Sequence, residues 1–436
     1  MLGLIGFLTM AIIILLLLRS KTIPAIAFVA VPTVMALIAG FSVGEIGGFV
    51  KKGVASTSSM AALFIFSITF FGIMTDAGMF DRIIDALVGR AGNNVVAITV
   101  LTAVIACIGH LDGSGASTFL ITIPAMLPIY QKLGMRATTL MLICTSAMGV
   151  MNLMPWGGPT MRAATVVGVD PTDLWTTLIP MQAVGLVICF AIAVIMGRLE
   201  IKNGAGFDPN RKIVASAEES AVSGEKKKEL VRPKLFWFNL ILTIALILVL
   251  SFADIPSYYV FMIGVAIALL VNYPGSKLQN KIIKAHSSAA ITMASTLLAA
   301  GVLLGILGES GIMDAMATAM VSVIPSFMGP YIAIIFGILS VPLALAFDTD
   351  SYFYGVLPIV VGIGESFGVN PVDVAIALVV CRNCATFISP VVPATYLGCG
   401  LAGVEIKDHI KVSFFWIWGV SLVCLVSGII LGIIRI

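Results

Sequence analysis

Charged residues are scarce in this chain. Of its 436 residues 11% are charged and 59% hydrophobic, with a mean hydropathy of +1.10. A soluble fold of this size needs far more polar surface, so the composition excludes one. The net charge of +3 is spread over loops rather than gathered into a basic patch with interleaved aromatics, which argues against a nucleic-acid partner. Cysteine is also sparse. Cys107, Cys144, Cys189, Cys381, Cys384, Cys399 and Cys424 mostly fall inside apolar runs, where cysteine acts as a small hydrophobe. Cys381 and Cys384 form a lone CxxC, with no second pair and no histidine at zinc spacing, so packing is their expected role. No HExxH, nucleophile elbow or other catalytic constellation is present, which argues against an enzyme. The first apolar run, 2–18, lacks the positive lead-in of a signal peptide and is followed by Arg19 and Lys21; it reads as a membrane helix.

Long apolar runs are what the chain has instead. Those at 2–18, 23–40, 56–76, 138–153, 173–197, 235–252, 257–272 and 286–308 approach the roughly 20 residues of a bilayer crossing. Residues 79–92 mix charges with aliphatics at helical spacing, as a short interfacial helix does. The segment 198–234 contains no apolar run and reads as a solvated linker between a first membrane half, 1–197, and a second, 235–436.

Within the first half, HLDGSGAST (110–118) interrupts two apolar runs that are each short for a crossing. Lipid offers backbone groups no partner, so such a stretch is tolerated at membrane depth only where it lines a protein cavity. The region near 95–130 therefore reads as a helical hairpin that enters and leaves on one side. In PWGGPT (155–160) proline removes a backbone donor and glycine resists no unwinding, which predicts a broken helix near 154–160. The second half repeats the pattern: FDTDSYFY (347–354) marks a hairpin near 329–366 and SPVVPAT (389–395) a broken helix near 388–397. The spacing of Asp112 from Asp348 matches, within two residues, that of Gly134 from Gly368 and of Pro159 from Pro393.

Basic residues concentrate in cytoplasmic loops. With both termini outside, the linker cytoplasmic and each hairpin re-entrant, all but Lys51, Lys52, Arg435, Arg162 and Arg382 of the 25 Lys and Arg fall inside. Reading either hairpin as a crossing spoils this asymmetry. The expected fold is an all-α integral membrane protein of two inverted repeats, each with about five crossings, a re-entrant hairpin and a broken helix, in the inner (cytoplasmic) membrane. Half-helix N-termini and unwound carbonyls at the midplane suit an anion together with a cation.

These stretches resemble the citrate–metal symporters of the ion transporter superfamily, through LDGSGAST, PWGGPTMRAA, YFYGVLPI (352–359), SPVVPAT and RPKLFWFNL (232–240). The resemblance covers nearly the whole chain. It implies proton-coupled uptake of citrate complexed with a divalent metal such as Mg, by an elevator mechanism on a scaffold that usually dimerises, with no covalent cofactor. Two places depart from the family pattern: Asp348-Thr349-Asp350-Ser351 carries one more carboxylate, and the CRNC at 381–384 is charged where the family is not.

Candidate roles follow from residue type. Asp112, Asp348 and Asp350, at the hairpin tips, are expected to bind a metal ion or coupling ion, or else to pair with an arginine or cap a half-helix. Ser114, Ser117, Thr118 and Ser351 are possible donors to substrate carboxylates, with helix capping as the alternative. Arg382, near the midplane, is either a carboxylate clamp or the structural partner of a tip aspartate. Arg162 has the same two readings and a third, snorkelling. Asn383, Gly157, Gly158, Thr160, Ser389 and Thr395 frame the two breaks as substrate-binding candidates, and His110 is a tip residue able to titrate. The leading expectation is a proton-driven symporter of citrate with a divalent metal. The alternatives are sodium coupling, another organic anion such as gluconate or a dicarboxylate, and a cation/proton antiporter.

Overall fold

The computed structural model describes residues 1–19, 21–88, 92–206, 229–253, 255–321 and 325–435, and among these there is no strand. The first half holds α1 (Leu2–Leu18), α2 (Pro24–Ile38), α3 (Val43–Asp76), α4 (Met79–Val88), α5 (Val95–Gly109), α6 (Gly115–Leu133), α7 (Ala137–Met151), α8 (Gly158–Val167) and α9 (Pro171–Lys202). The second holds α10 (Phe236–Phe252), α11 (Ser257–Asn272), α12 (Ser276–Glu309), α13 (Ile312–Val321), α14 (Ile332–Ala344), α15 (Leu357–Ser366), α16 (Pro371–Cys384), α17 (Pro393–Ala402) and α18 (Ile406–Ile430). A single turn, Thr349–Ser351, and a π-helical stretch, Tyr352–Val356, lead into α15. Seven helical segments of the described residues are long and apolar enough to cross a membrane, with α3, α9, α12 and α18 among them; α1, α2, α7 and α11 are apolar but shorter.

Several helices outrun the apolar stretches that announce them. α3 begins at Val43 rather than 56 and α12 at Ser276 rather than 286. Once nucleated, a helix propagates through polar residues, so an apolar run marks only its lipid-facing part. A capping box starts α3: Ser42 Oγ accepts from the Glu45 N–H, and the Glu45 carboxylate accepts from the Ser42 N–H at 2.8 Å. α9 likewise continues through Lys202, into the expected linker, most of which (207–228) lies outside the described residues.

The two halves share an order of elements. α3 and α12 are each 34 residues long and each is followed by a 10-residue helix, α4 or α13. A two-armed hairpin, an interrupted helix and a long closing helix come next in both. α3 and α12 run antiparallel, for Lys52 meets Glu309 at 2.5 Å near one end while His286 Nε2 lies 2.9 Å from Asp76 at the other. Between these points Gly53 sits against Gly301 and Gly305, a small-residue contact that lets membrane helices approach closely.

Contacts join the helix ends in two sets. In one, which contains the borders of the polar linker, Arg136 and Thr139 bond Glu200, Gly206 bonds Leu133, Arg82 bonds Pro233 and Arg232 bonds Asn272. In the other, Lys52 meets Glu309, Thr172 meets Ser257, Arg435 bonds Asp373 and Gly3 abuts Ala315. Below, the first set is called the linker face.

Buried apolar side chains form three main groups. α1–α3 and α10–α12 share one core; hairpin α5–α6 and α7 form a second; α9, α16, α18 and the α14–α15 hairpin form a third. Met154, Trp156, Met161 and Tyr354 come from the interrupted-helix and hairpin segments yet pack into the first core.

Candidate functional site

Tip, break, break and tip meet in space. At the first tip His110–Asp112 forms a 3-10 turn, Gly113 takes φ +71, and Ser114 caps α6; the left-handed Gly113 lets the chain reverse without Cβ strain. Asp112 accepts from the Ser114 N–H at 2.7 Å and from the Ser117 hydroxyl. His110 is fully buried, with Nδ1 2.8 Å from Thr118 Oγ1 and its ring edge-on to Phe387 at 5.2 Å.

At the first break α7 ends at Met151 and α8 starts at Gly158, with Gly157 as its N-cap and Pro159 in its first turn. A Cβ on Gly157 would collide with the carbonyl oxygens of Asn152 and Met154, which is why glycine is needed there. Thr160 closes the break by donating to the Leu153 carbonyl at 2.9 Å. Trp156 donates to the Leu111 carbonyl at 2.8 Å and so joins the break to the tip.

The second break runs from Cys384 through a 3-10 turn, Thr386–Ile388, to α17. Ser389 donates to the Ala344 carbonyl at 2.6 Å and ties this break to its hairpin. Asn152 and Asn383 join the two breaks: each amide nitrogen donates to the other residue, at 3.2 Å, one to the Asn383 side-chain oxygen and one to the Asn152 carbonyl. At the second tip Asp348 caps its turn, accepting from the Ser351 N–H at 2.7 Å.

Two cavities border this assembly. The larger, about 1050 Å³, has walls from Asp348, Thr349 and Asp350 of the second tip, Arg162 of α8, Pro390–Pro393 of the second break and Lys21–Pro24 between α1 and α2. The smaller, about 500 Å³, is bounded by Asp112, Ser114 and Ser117 of the first tip, Trp156 and Gly158 of the first break, and Gly72, His286 and Thr292 of α3 and α12. Met293 borders both. Both reach toward the linker face, where His286 and the α1–α2 turn lie. On the other side of the second hairpin Met10, Met313, Met316 and Pro358 close in, leaving about 10 Å³.

The arginines divide the roles that the sequence left open. Arg162 donates from Nε to Asp350 Oδ1 at 2.6 Å, an ion pair between the two halves with 6% and 17% side-chain exposure. Arg382 is fully buried and forms no ion pair among the described residues: it donates to the Phe347 carbonyl at 3.2 Å and to Thr386 Oγ1 at 3.3 Å, with the Tyr352 ring 5.6 Å away. The partner of Asp350 is therefore Arg162, and Arg382 holds the approach to the second tip by its backbone.

Among the sequence candidates, Asp112, Ser114, Ser117, Gly158, Arg162, Asp348 and Asp350 face a cavity. His110, Thr118, Gly157, Thr160, Asn383 and Ser389 sit behind these walls in the bonds and close contacts just described. Ser351 and Thr395 are fully buried beside the larger cavity, and their hydroxyls have no hydrogen-bond partner among the described residues. Sequence reasoning missed Lys21, Trp156, His286 and Met293 as wall residues. Only Lys21 and Trp156 carried a signal, one in a basic turn and the other inside a motif.

The first residues of α6 and α8, Gly115 and Gly158, line the smaller cavity, and the first residue of α17, Pro393, lines the larger. Helix N-termini present positive dipole ends, so both cavities are suited to anions. The described residues contain no group of three or more His, Cys, Asp or Glu placed to hold a metal. Asp348 and Asp350 are the two carboxylates on the wall of the larger cavity, and Asp350 is already paired with Arg162.

Apolar helices around polar tips and paired helix breaks define a multi-pass, all-helical membrane transporter. The family model for citrate transporters matches residues 2–381, and the chain belongs to that family. Two Bacillus subtilis (strain 168) proteins are similar over 100% of both chains: a citrate transporter, 37% identical, and a Mg(2+)/citrate complex secondary transporter, 38% identical. Among solved structures, the YdaH transporter of Alcanivorax borkumensis superposes with a TM-score of 0.61 at 13% identity, covering 88% of this chain and 87% of that one. MtrF of Neisseria gonorrhoeae gives 0.61 at 14%, covering 87% and 83%. At such identity these two speak for the fold alone.

Proposed function

We propose that this protein is a secondary active symporter that imports citrate as a complex with a divalent metal, coupled to protons. The observation that carries the reading is the larger cavity, where an arginine from one half and two aspartates from the other stand together at the second tip. An anion requires the arginine and a metal requires the carboxylates. The relative named for the Mg(2+)/citrate complex, similar over its full length, supports the same substrate. Citrate is trivalent near neutral pH, so a bound divalent cation leaves one negative charge for protons to balance; Asp112 is the proton-carrying candidate, facing the smaller cavity away from any arginine lining it.

The proposed motion is an elevator, in which the hairpins and interrupted helices move against a scaffold of α1–α3 and α10–α12. The separate apolar cores support this division, and the antiparallel α3 and α12 support an inverted repeat. The two sets of helix-end contacts agree with a cytoplasmic linker and outside termini in the inner membrane, which makes the present state inward-open. The scaffold is the proposed dimer surface.

Labelled citrate uptake into proteoliposomes tests the function, with metal identity and the proton and sodium gradients varied independently. Uptake is expected to need a divalent metal, to stop with a chelator and to follow the proton gradient. Uptake indifferent to both metal and pH gradient refutes it, and dependence on sodium alone replaces the coupling ion.

A further inference from the structure

Arg162 and Asp350 are both walls of the larger cavity and already satisfy each other, at 2.6 Å, with Asp348 beside them. We infer that this pair is an exchange lock by which the site admits metal and anion together and neither alone; the inference rests on the metal–citrate reading above.

The logic is that of charges short of water. A substrate carboxylate that takes the Arg162 guanidinium must release Asp350, and a released carboxylate next to Asp348 is repelled and poorly solvated unless a cation receives it. Conversely, a divalent metal that takes Asp350 leaves Arg162 uncompensated, and the guanidinium then faces the metal's own positive charge. When both arrive, the substrate carboxylate replaces Asp350 on Arg162 and Asp350, with Asp348, ligates the metal, so every charge keeps a partner. The two residues are 188 positions apart in the sequence and come from opposite halves, so the exchange also reports occupancy from one half to the other. No covalent bond changes.

Opposite effects are expected from the two single substitutions. Asp350→Asn leaves Arg162 free for an anion, so citrate binding in the presence of a chelator should strengthen and the ratio of uptake with metal to uptake without it should fall by roughly tenfold. Arg162→Gln leaves Asp350 free, so Mn²⁺ alone should bind more tightly while citrate weakens. The double variant Arg162→Gln/Asp350→Asn removes both charges and leaves neither unpaired; it should bind citrate weakly and with little metal dependence. Titration calorimetry of the purified protein with Mg²⁺-citrate, citrate plus chelator, and Mn²⁺ alone gives the binding terms, and proteoliposome uptake gives the ratio. If wild type shows metal-dependent citrate uptake and Asp350→Asn or the double variant keeps the same metal ratio, the lock is wrong although the function stands. If wild type neither binds nor moves citrate with any divalent metal, both fall.

Discussion

Arg162 and Arg382 are the two arginines in the membrane part of the sequence, and residue type does not distinguish them. Depth along a helix made Arg382 the stronger clamp candidate. Arg162 lines the larger cavity and pairs with Asp350. Arg382 instead supports the carbonyl of Phe347. Arg382→Gln is therefore expected to lower stability by about 1.5–3 kcal/mol, the range for hydrogen bonds from charged groups, read as chemical denaturation in detergent. The KM of its residual uptake should stay within about twofold; a rise of tenfold or more would return Arg382 to the binding surface. The tip aspartates were legible in the sequence because a carboxylate at membrane depth is costly without a role. Met293 and His286 were not, since they sit on α12, where nothing local distinguishes a wall residue from a packed one.

At the scale of elements, proline and glycine constrain the backbone wherever they stand. Broken helices were expected near 154–160 and 388–397, and in the structure α8 starts at Gly158 and α17 at Pro393. Helix starts were less legible, as α3 and α12 extend beyond their apolar runs on polar residues. Gly157→Ala should cost about 1–3 kcal/mol through overpacking against the Asn152 carbonyl and should slow transport, measured as a lower melting temperature together with a lower initial uptake rate. Trp156 makes a finer test. Its ring packs on Phe71 and Phe261 at 5.1 and 5.5 Å while its N–H holds the first tip. Trp156→Phe keeps most of the packing and loses the bond, so a stability loss near 1 kcal/mol is expected, with the larger effect on uptake. An unchanged rate would mean that the bond to Leu111 does not position the tip.

For the whole molecule, a repeated order of elements and a shared midplane site of tips and breaks were expected from the spacing of three motifs, whereas the contacts that join the four segments were not. These contacts, such as Asn152 with Asn383 and Arg162 with Asp350, join residues far apart in the chain. Ile23, in the α1–α2 turn at the linker face, lies on the wall of the larger cavity, and this gives a labelling prediction. The native cysteines are buried apart from the partly buried Cys107, so background reaction with an impermeant maleimide should be low. Ile23→Cys, on the wall of the larger cavity, should react from the linker side, and citrate with Mg²⁺ together should protect it better than either alone. Reaction only from the opposite side would reverse the proposed orientation.

The two 34-residue helices locked at Gly53, Gly301 and Gly305 have one more consequence. At 1.5 Å per residue each is about 50 Å long, against a hydrocarbon core of about 30 Å. They must project beyond the lipid tails or tilt within them, and because they are joined they must tilt as one. The thickness of the surrounding bilayer thereby sets the angle of the rail along which the hairpins would travel. Reconstitution in phosphatidylcholines of increasing acyl length should accordingly give a transport rate that passes through a maximum, with substrate affinity nearly constant.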